Sequence, residues 1–205
     1  MPTFSAFVRA INVGKRAYPM AELRAALTAA GFEDVETHIQ TGNVRFRTSM
    51  RSKEKVRAEL EKVMAADRGF DVPVCLFTPA ELVEVYDDAR RFAAENDNEM
   101  TGHYVALMQG SASAADAKAF EARDVVDGEH SRFGIRAAHL MLDKPFHDAR
   151  TGLYTFETAF GLSTTPHITV ITQLVPPCCA ASSLPPHPRL FPCRRTSLAP
   201  GPPSR

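Results

Sequence analysis

The stretch Ala6-Phe-Val-Arg-Ala-Ile-Asn-Val-Gly-Lys15, followed by Pro19-Met-Ala-Glu-Leu-Arg24 and Ile39-Gln-Thr-Gly-Asn-Val-Arg-Phe46, sets two polar, glycine-bearing turns beside apolar runs within 46 residues. Phe4 to Ile11 is apolar on both pleat faces apart from Ser5 and Arg9, which predicts a central strand. Pro19 suits the first turn of a helix and Gly31 its C-terminal end, with Met20, Leu23, Leu27 and Ala30 at helical spacing between them. Val35 to Gln40 and Asn43 to Thr48 read as two strands of a hairpin around Thr41-Gly42. On the second of these, Val44 and Phe46 alternate with Asn43, Arg45 and Arg47, giving one apolar and one basic face. Val56, Leu60 and Val63 mark a second helix ending near Gly69, and Val72 to Phe77 another strand.

The order is β-α-β-β-α-β, the ferredoxin-like arrangement, with both helices on one sheet face and the other face left for solvent, a second domain or a ligand. Thr78-Pro-Ala-Glu81 is a capping box that starts a further helix through Leu82, Val85, Ala89 and Phe92. Polar Glu95 to Gly102 makes a boundary. A strand from His103 to Met108, a helix from Ser113 to Arg123, strands within Arg132 to Leu142 and a helix carrying Leu153, Phe156 and Phe160 follow. The expected class is α+β, with a ferredoxin-like unit over 1–78 and a smaller α+β unit over 79–175, whose topology the pattern leaves open.

The formal charge is zero over 205 residues, but it is unevenly spread. Residues 1–68 hold 12 Lys/Arg against 8 Asp/Glu, and residues 69–175 hold 8 against 16. An electropositive half beside an acidic one predicts an anionic ligand or docking of the halves; charges scattered over solvated helix faces are the simpler account. No run reaches the roughly 18 apolar residues that span a bilayer, and Met1-Pro-Thr-Phe-Ser5 lacks the features of a secretory signal. Cys75 is the single cysteine before Cys178, consistent with a reducing, cytoplasmic compartment.

From Pro176 the composition changes. The last 30 residues hold nine Pro, three Cys, four Arg and no acid, which is too little apolar surface to offset ordering entropy. They read as a disordered basic tail or as the product of a frameshift in GC-rich DNA. Cys178, Cys179, Cys193 and His187 match no zinc spacing.

The segments Ala10-Ile-Asn-Val-Gly14, Pro19-Met-Ala-Glu-Leu-Arg24, Ala30-Gly-Phe32 and Ile39-Gln-Thr-Gly-Asn-Val44 resemble, in spacing and identity, the family called domain of unknown function 1697. The resemblance implies a two-part α+β fold with a ferredoxin-like first half, and a function that is not known. It also implies a late Ser-Lys-Leu element and a Thr-Arg-Asn-Trp-Asn-Thr-Val signature. Here Thr151-Gly-Leu153 and Thr165-Pro-His-Ile-Thr-Val-Ile-Thr-Gln-Leu174 stand in their places, and the chain has no Trp.

Asn12-Val-Gly-Lys-Arg16, between a strand and a helix start, offers backbone donors and two cations to an anion such as phosphate. It lacks P-loop spacing, and it also reads as a tight turn that needs Gly14. Gln40 and Asn43, with Arg9, Arg45 and Arg47, form a basic, amide-bearing strip on adjacent strands, or serve the hairpin backbone alone. Phe7 could stack a base on this sheet, but the strip offers no second aromatic, so nucleic acid lacks sequence support as a partner. The seven histidines show no metal spacing, Cys75 reads as a small buried hydrophobe, Asp87-Asp88 as an exposed helix face, and His147, Asp148 and Asp143 as solvated loop residues.

The expected function is a binding protein for a phosphorylated or other anionic ligand, held by Arg9, Asn12, Lys15, Gln40, Asn43, Arg45 and Arg47. The alternatives are a small-metabolite enzyme using a cleft between the two units, with no catalytic residue identified, and an interaction module that packs its open sheet face on a partner. No cofactor, metal or membrane is implied, and no motif specifies an oligomeric state.

Overall fold

The computed structural model describes residues 1–175 apart from 41, 97–99, 123–125, 135 and 162. The tail from Pro176, Thr41 of the predicted turn and Arg123 at the predicted helix end lie outside the described residues. The first half runs β1 (Thr3–Val8), α1 (Met20–Ala29), β2 (Glu33–His38), β3 (Asn43–Arg47), α2 (Lys53–Arg68) and β4 (Val74–Phe77). The sheet order is β2-β3-β1-β4 with every neighbouring pair antiparallel, which is the expected βαββαβ arrangement. Phe4, Ala6, Val8, Val44, Phe46, Val74 and Leu76 point to the face covered by Leu23 and Leu27 of α1 and Val56, Leu60 and Met64 of α2.

Element ends differ from the sequence reading for local backbone reasons. β1 stops at Val8 rather than Ile11, because Ala10 and Asn12 take left-handed conformations at φ 55° and 56° that end a strand. β2 starts at Glu33 rather than Val35 and ends at His38, where Ile39 turns to φ 51°. β4 begins after Pro73, which brings no N–H to a ladder. On α2 the fully buried position is Met64, one turn beyond Leu60, while Val63 is only partly covered.

α3 (Pro79–Glu95) starts at the predicted capping box: Glu81 N donates to Thr78 Oγ1 at 3.3 Å and Thr78 N donates to Glu81 Oε2 at 2.8 Å. The chain continues through β5 (Gly102–Met108), α4 (Ala114–Glu121), β6 (Glu129–Phe133), β7 (Ala137–Leu142), a 3-10 turn at Phe146–Asp148, α5 (Leu153–Phe160), β8 (Ser163–Thr164) and α6 (Ile168–Leu174). The second sheet is ordered β6-β7-β5-β8, all antiparallel. Taken in chain order, β5-α4-β6-β7-α5-β8 repeats the topology of the first half. Its own core is Ala106, Phe120, Ala138, Leu140, Leu142 and Phe156.

A third core lies between the halves. Phe7, Cys75 and Phe77 leave the far face of the first sheet, Val105, Leu107 and Ala137 come from the second, and Leu82, Val85 and Ala89 of α3 with Ile168 and Ile171 of α6 pack against them. The sheets touch directly where Cys75 Sγ reaches Leu107 O at 3.6 Å. The face expected to await a second domain or a ligand is therefore covered at its β1–β4 side by the second half. Each large side chain buried there contributes about 1.5–3 kcal/mol.

Candidate functional site

The basic strip is assembled, but most of its members are engaged within the chain. Asn43 stands opposite Phe7 and Arg45 opposite Ser5 on one face of β1 and β3. Arg9 forms an ion pair with Glu157 of α5. The Asn12 amide is used by backbone: Oδ1 accepts from Tyr18 N at 2.8 Å, and Nδ2 donates to Tyr18 O at 3.1 Å and Gln40 O at 2.8 Å. Asn12 thus clamps the β1–α1 loop to the hairpin. Asn43 is buried and its Nδ2 lies 3.3 Å from His38 O. Arg47 pairs with Asp34 at 3.0 Å and Glu33 at 3.5 Å. Lys15, Gln40 and Arg45 remain exposed. Phe7, offered as a stacking platform, is 1% exposed and meets Phe77 edge-on at 5.7 Å. Burial removes it from any base.

A different set of charges converges at the seam between the halves. Lys53 and Arg57 on the first turns of α2, Glu81 on α3, Gln109, Gly110 and Ser111 after β5, and Arg136 in the β6–β7 turn line a cleft of about 210 Å³. Lys53 Nζ donates to both Glu81 oxygens at 2.6 and 2.8 Å, and Arg136 Nη1 donates to Glu81 Oε1 at 2.8 Å. Burial opposes the charge on Glu81, but Lys53, the Thr78 N–H and Arg136 outweigh it and hold the carboxyl down at about 2. Arg136 Nη2 donates to the carbonyls of Leu76, Met108 and Gln109 at 3.0–3.1 Å, and its guanidinium lies 4.1 Å from the centre of the Phe77 ring. With the Gln109 amide turned so that its oxygen faces Arg57, Arg57 Nη1 and Nε donate to it at 2.7 and 2.9 Å. Arg57 forms no ion pair among the described residues.

A second polar group is buried on two strands of the second half. His103 on β5 and His139 on β7 are 6% and 1% exposed, and His103 Nε2 stands 3.3 Å from His139 Nδ1. Both rings pack near Phe92 of α3. A polar residue inside Gly102–Met108 and another inside Ala137–Leu142 were the available signal; no motif connects them. Neither the strip nor the turns pointed to Lys53, Arg57 or Arg136, whose approach depends on how the halves pack.

Elsewhere, burial pushes the Cys75 thiol up to about 12, in keeping with a small buried side chain rather than a nucleophile. His147 and Asp148 are largely exposed and 3.5 Å apart. Among the described residues, no group of three or more His, Cys, Asp or Glu is set to hold a metal ion, and no helix is long and apolar enough to cross a membrane.

A conserved bacterial protein from Streptococcus pneumoniae, SP0830, has a similar structure: TM-score 0.66, 23% identity, covering 85% of this chain and 98% of that one. At that identity the likeness is one of fold. No curated protein matches the sequence. The model of the family described as "Protein of unknown function (DUF1697)" matches residues 1–138, the span that carries the paired glycine turns, the first sheet and most of the second, and the chain belongs to that family.

Proposed function

We propose that the chain binds an anionic ligand, phosphate-bearing or otherwise, in the seam cleft of Lys53, Arg57 and Arg136. What supports this is the excess of positive charge there: three cations face two carboxylates, Glu54 and Glu81, and Arg57 is met by a neutral amide rather than by an acid. A low-dielectric seam strengthens such an attraction beyond its value on an open surface. The N-terminus of α2, a 16-residue helix, adds its partial positive charge at the same place. The cleft joins elements of both halves, so a ligand there would also bias how they sit together. A cytoplasmic setting belongs to the same proposal, since Cys75 is buried and forms no disulfide among the described residues.

Calorimetric titration with inorganic phosphate and pyrophosphate tests the reading. Binding that weakens with salt and drops at least tenfold in Arg57→Ala, with Lys15→Ala and Arg45→Ala unchanged, is the expected result. Loss in Lys15→Ala or Arg45→Ala instead would move the ligand to the exposed remainder of the strip. Absence of any salt-sensitive binding would remove the reading.

A further inference from the structure

The second half repeats the first strand for strand, and the repeat extends to single residues. Val8, the last residue of β1, pairs with Val74, the first of β4; Met108, the last of β5, pairs with Ser163, the first of β8. The fourth residue of α2 is Val56 and the fourth of α5 is Phe156, and each is 0% exposed in the core of its own half. Arg9 and Gln109 are therefore equivalent, each the residue that follows an inner strand. Arg57 and Glu157 are equivalent too, each the fifth residue of its helix.

Contacts across the seam follow the same exchange of halves. Glu157 of the second half forms an ion pair with Arg9 of the first, and Arg57 of the first half donates to the Gln109 amide oxygen of the second. One contact is the pseudo-two-fold image of the other, yet only the first is a pair of opposite charges. An amide oxygen orients a guanidinium without cancelling its charge, whereas a carboxylate does both. The packing that holds an ion pair at one position has room for the same atoms at the other, because glutamate has the shape of glutamine. The uncancelled charge on Arg57 thus follows from the residue type at 109 and not from the fold. Arg136 Nη2 fixes the backbone of that residue by donating to Gln109 O at 3.0 Å, so its side chain starts from a set place in the cleft.

We propose that Gln109 is a placeholder for an anionic oxygen of the ligand. Its amide holds Arg57 in the seam, leaves the positive charge in force, and yields the guanidinium to an incoming oxyanion group. Arg9 and Glu157, at the equivalent position, are a permanent lock whose charges cancel each other. The inference rests on the seam reading of Lys53, Arg57 and Arg136, and names within it the group that the ligand displaces.

Calorimetric titration of the full chain and of Gln109→Glu with inorganic phosphate tests it, together with urea midpoints of both. A carboxylate at 109 occupies Arg57 from within, so phosphate affinity should fall at least tenfold. The urea midpoint should rise, and that rise should be lost in an Arg57→Ala background, where the carboxylate has no such partner. Heteronuclear NMR of the natural chain gives a second readout. On addition of phosphate, the Arg57 Nε–H and Gln109 side-chain amide signals should move while the Arg9 Nε–H signal stays in place. Should Gln109→Glu fail to fold, these signals decide alone. Full affinity in Gln109→Glu, or an Arg9 signal that moves as far as that of Arg57, would overturn the placeholder role and leave the seam reading in force. Absence of phosphate binding by the natural chain would remove the seam reading and this inference with it.

Discussion

Arg136 Nη2 donates to three carbonyls, from β4 and from the end of β5, while Nη1 holds Glu81, and its side chain is 10% exposed. Arg136→Ala would leave those acceptors and Glu81 short of a partner in the seam, and a loss of about 3 kcal/mol is expected in urea unfolding at pH 7. Arg136→Lys, with one point charge in place of a planar fork, should recover only part of it. The histidine pair makes a different demand. Burial, then the charges of His139 and His167, hold His103 down at about 3; burial, then Arg132, hold His139 at about 4. In the unfolded chain both titrate near 6.5, so below that value the unfolded state binds more protons and stability is lost as pH falls. From pH 7 to pH 5 the two together should cost roughly 4 kcal/mol. Glu81, depressed to about 2, contributes stability that is lost only below its unfolded value near 4.5, outside that window. Urea midpoints at pH 7 and 5 should therefore converge in a His103→Phe/His139→Leu variant. A slope equal to that of the natural chain would assign the pH dependence elsewhere.

Two positions of the β2–β3 turn take left-handed backbone, and they differ in strain. Gly42 lies at φ +81°, and a Cβ there would come 2.6 Å from Ile11 Cδ1 and 2.9 Å from Val8 Cβ, while its carbonyl accepts from Val8 N. Gly42→Ala is expected to destabilise the hairpin by about 2 kcal/mol, part of which Ile11→Ala should restore in a double variant; additivity of the two losses would disprove the clash. Three positions before it, Ile39 adopts φ 51° although it is β-branched and 49% exposed. Asn tolerates that conformation, so Ile39→Asn should raise stability by about 1 kcal/mol, measured as a higher melting temperature. The turn residues were readable from the sequence, since glycine and asparagine announce left-handed backbone. The positive φ of Ile39 and Ala10 was not, because nothing local favours it; both lie beside the point where Asn12 Nδ2 ties the β1–α1 loop to Gln40 O.

At the scale of the whole molecule the third core decides behaviour. Phe7, Phe77, Leu107 and Ile171 belong to both halves and are at most 1% exposed, so neither sheet can lose its partner without uncovering them. One cooperative transition is expected in calorimetry, with Leu107→Ala lowering it as a unit by about 2–5 kcal/mol. Two separate transitions would show the halves to be independent. The first βαββαβ unit was legible element by element, though not to its exact ends, because period-2 and period-3.6 patterns, Pro19, and the Thr78–Glu81 box act over a few positions. The second was not: β8 is only Ser163–Thr164, too short to carry a pattern, and its pairing with β5 is long-range. Likewise Arg9, Asn12, Asn43 and Arg47 could be named as polar and basic, but nothing near them in the chain discloses Glu157, Tyr18, His38 or Asp34 as their partners. The amino-acid sequence by itself determined the class of fold, the first sheet with its two helices, and the family. The tertiary structure alone decided that the sheets cover each other, that Lys53, Arg57 and Arg136 share a cleft, and that His103 and His139 are buried side by side. Local propensities act between near neighbours, whereas charges and cavities are set by which distant segments the cores bring together.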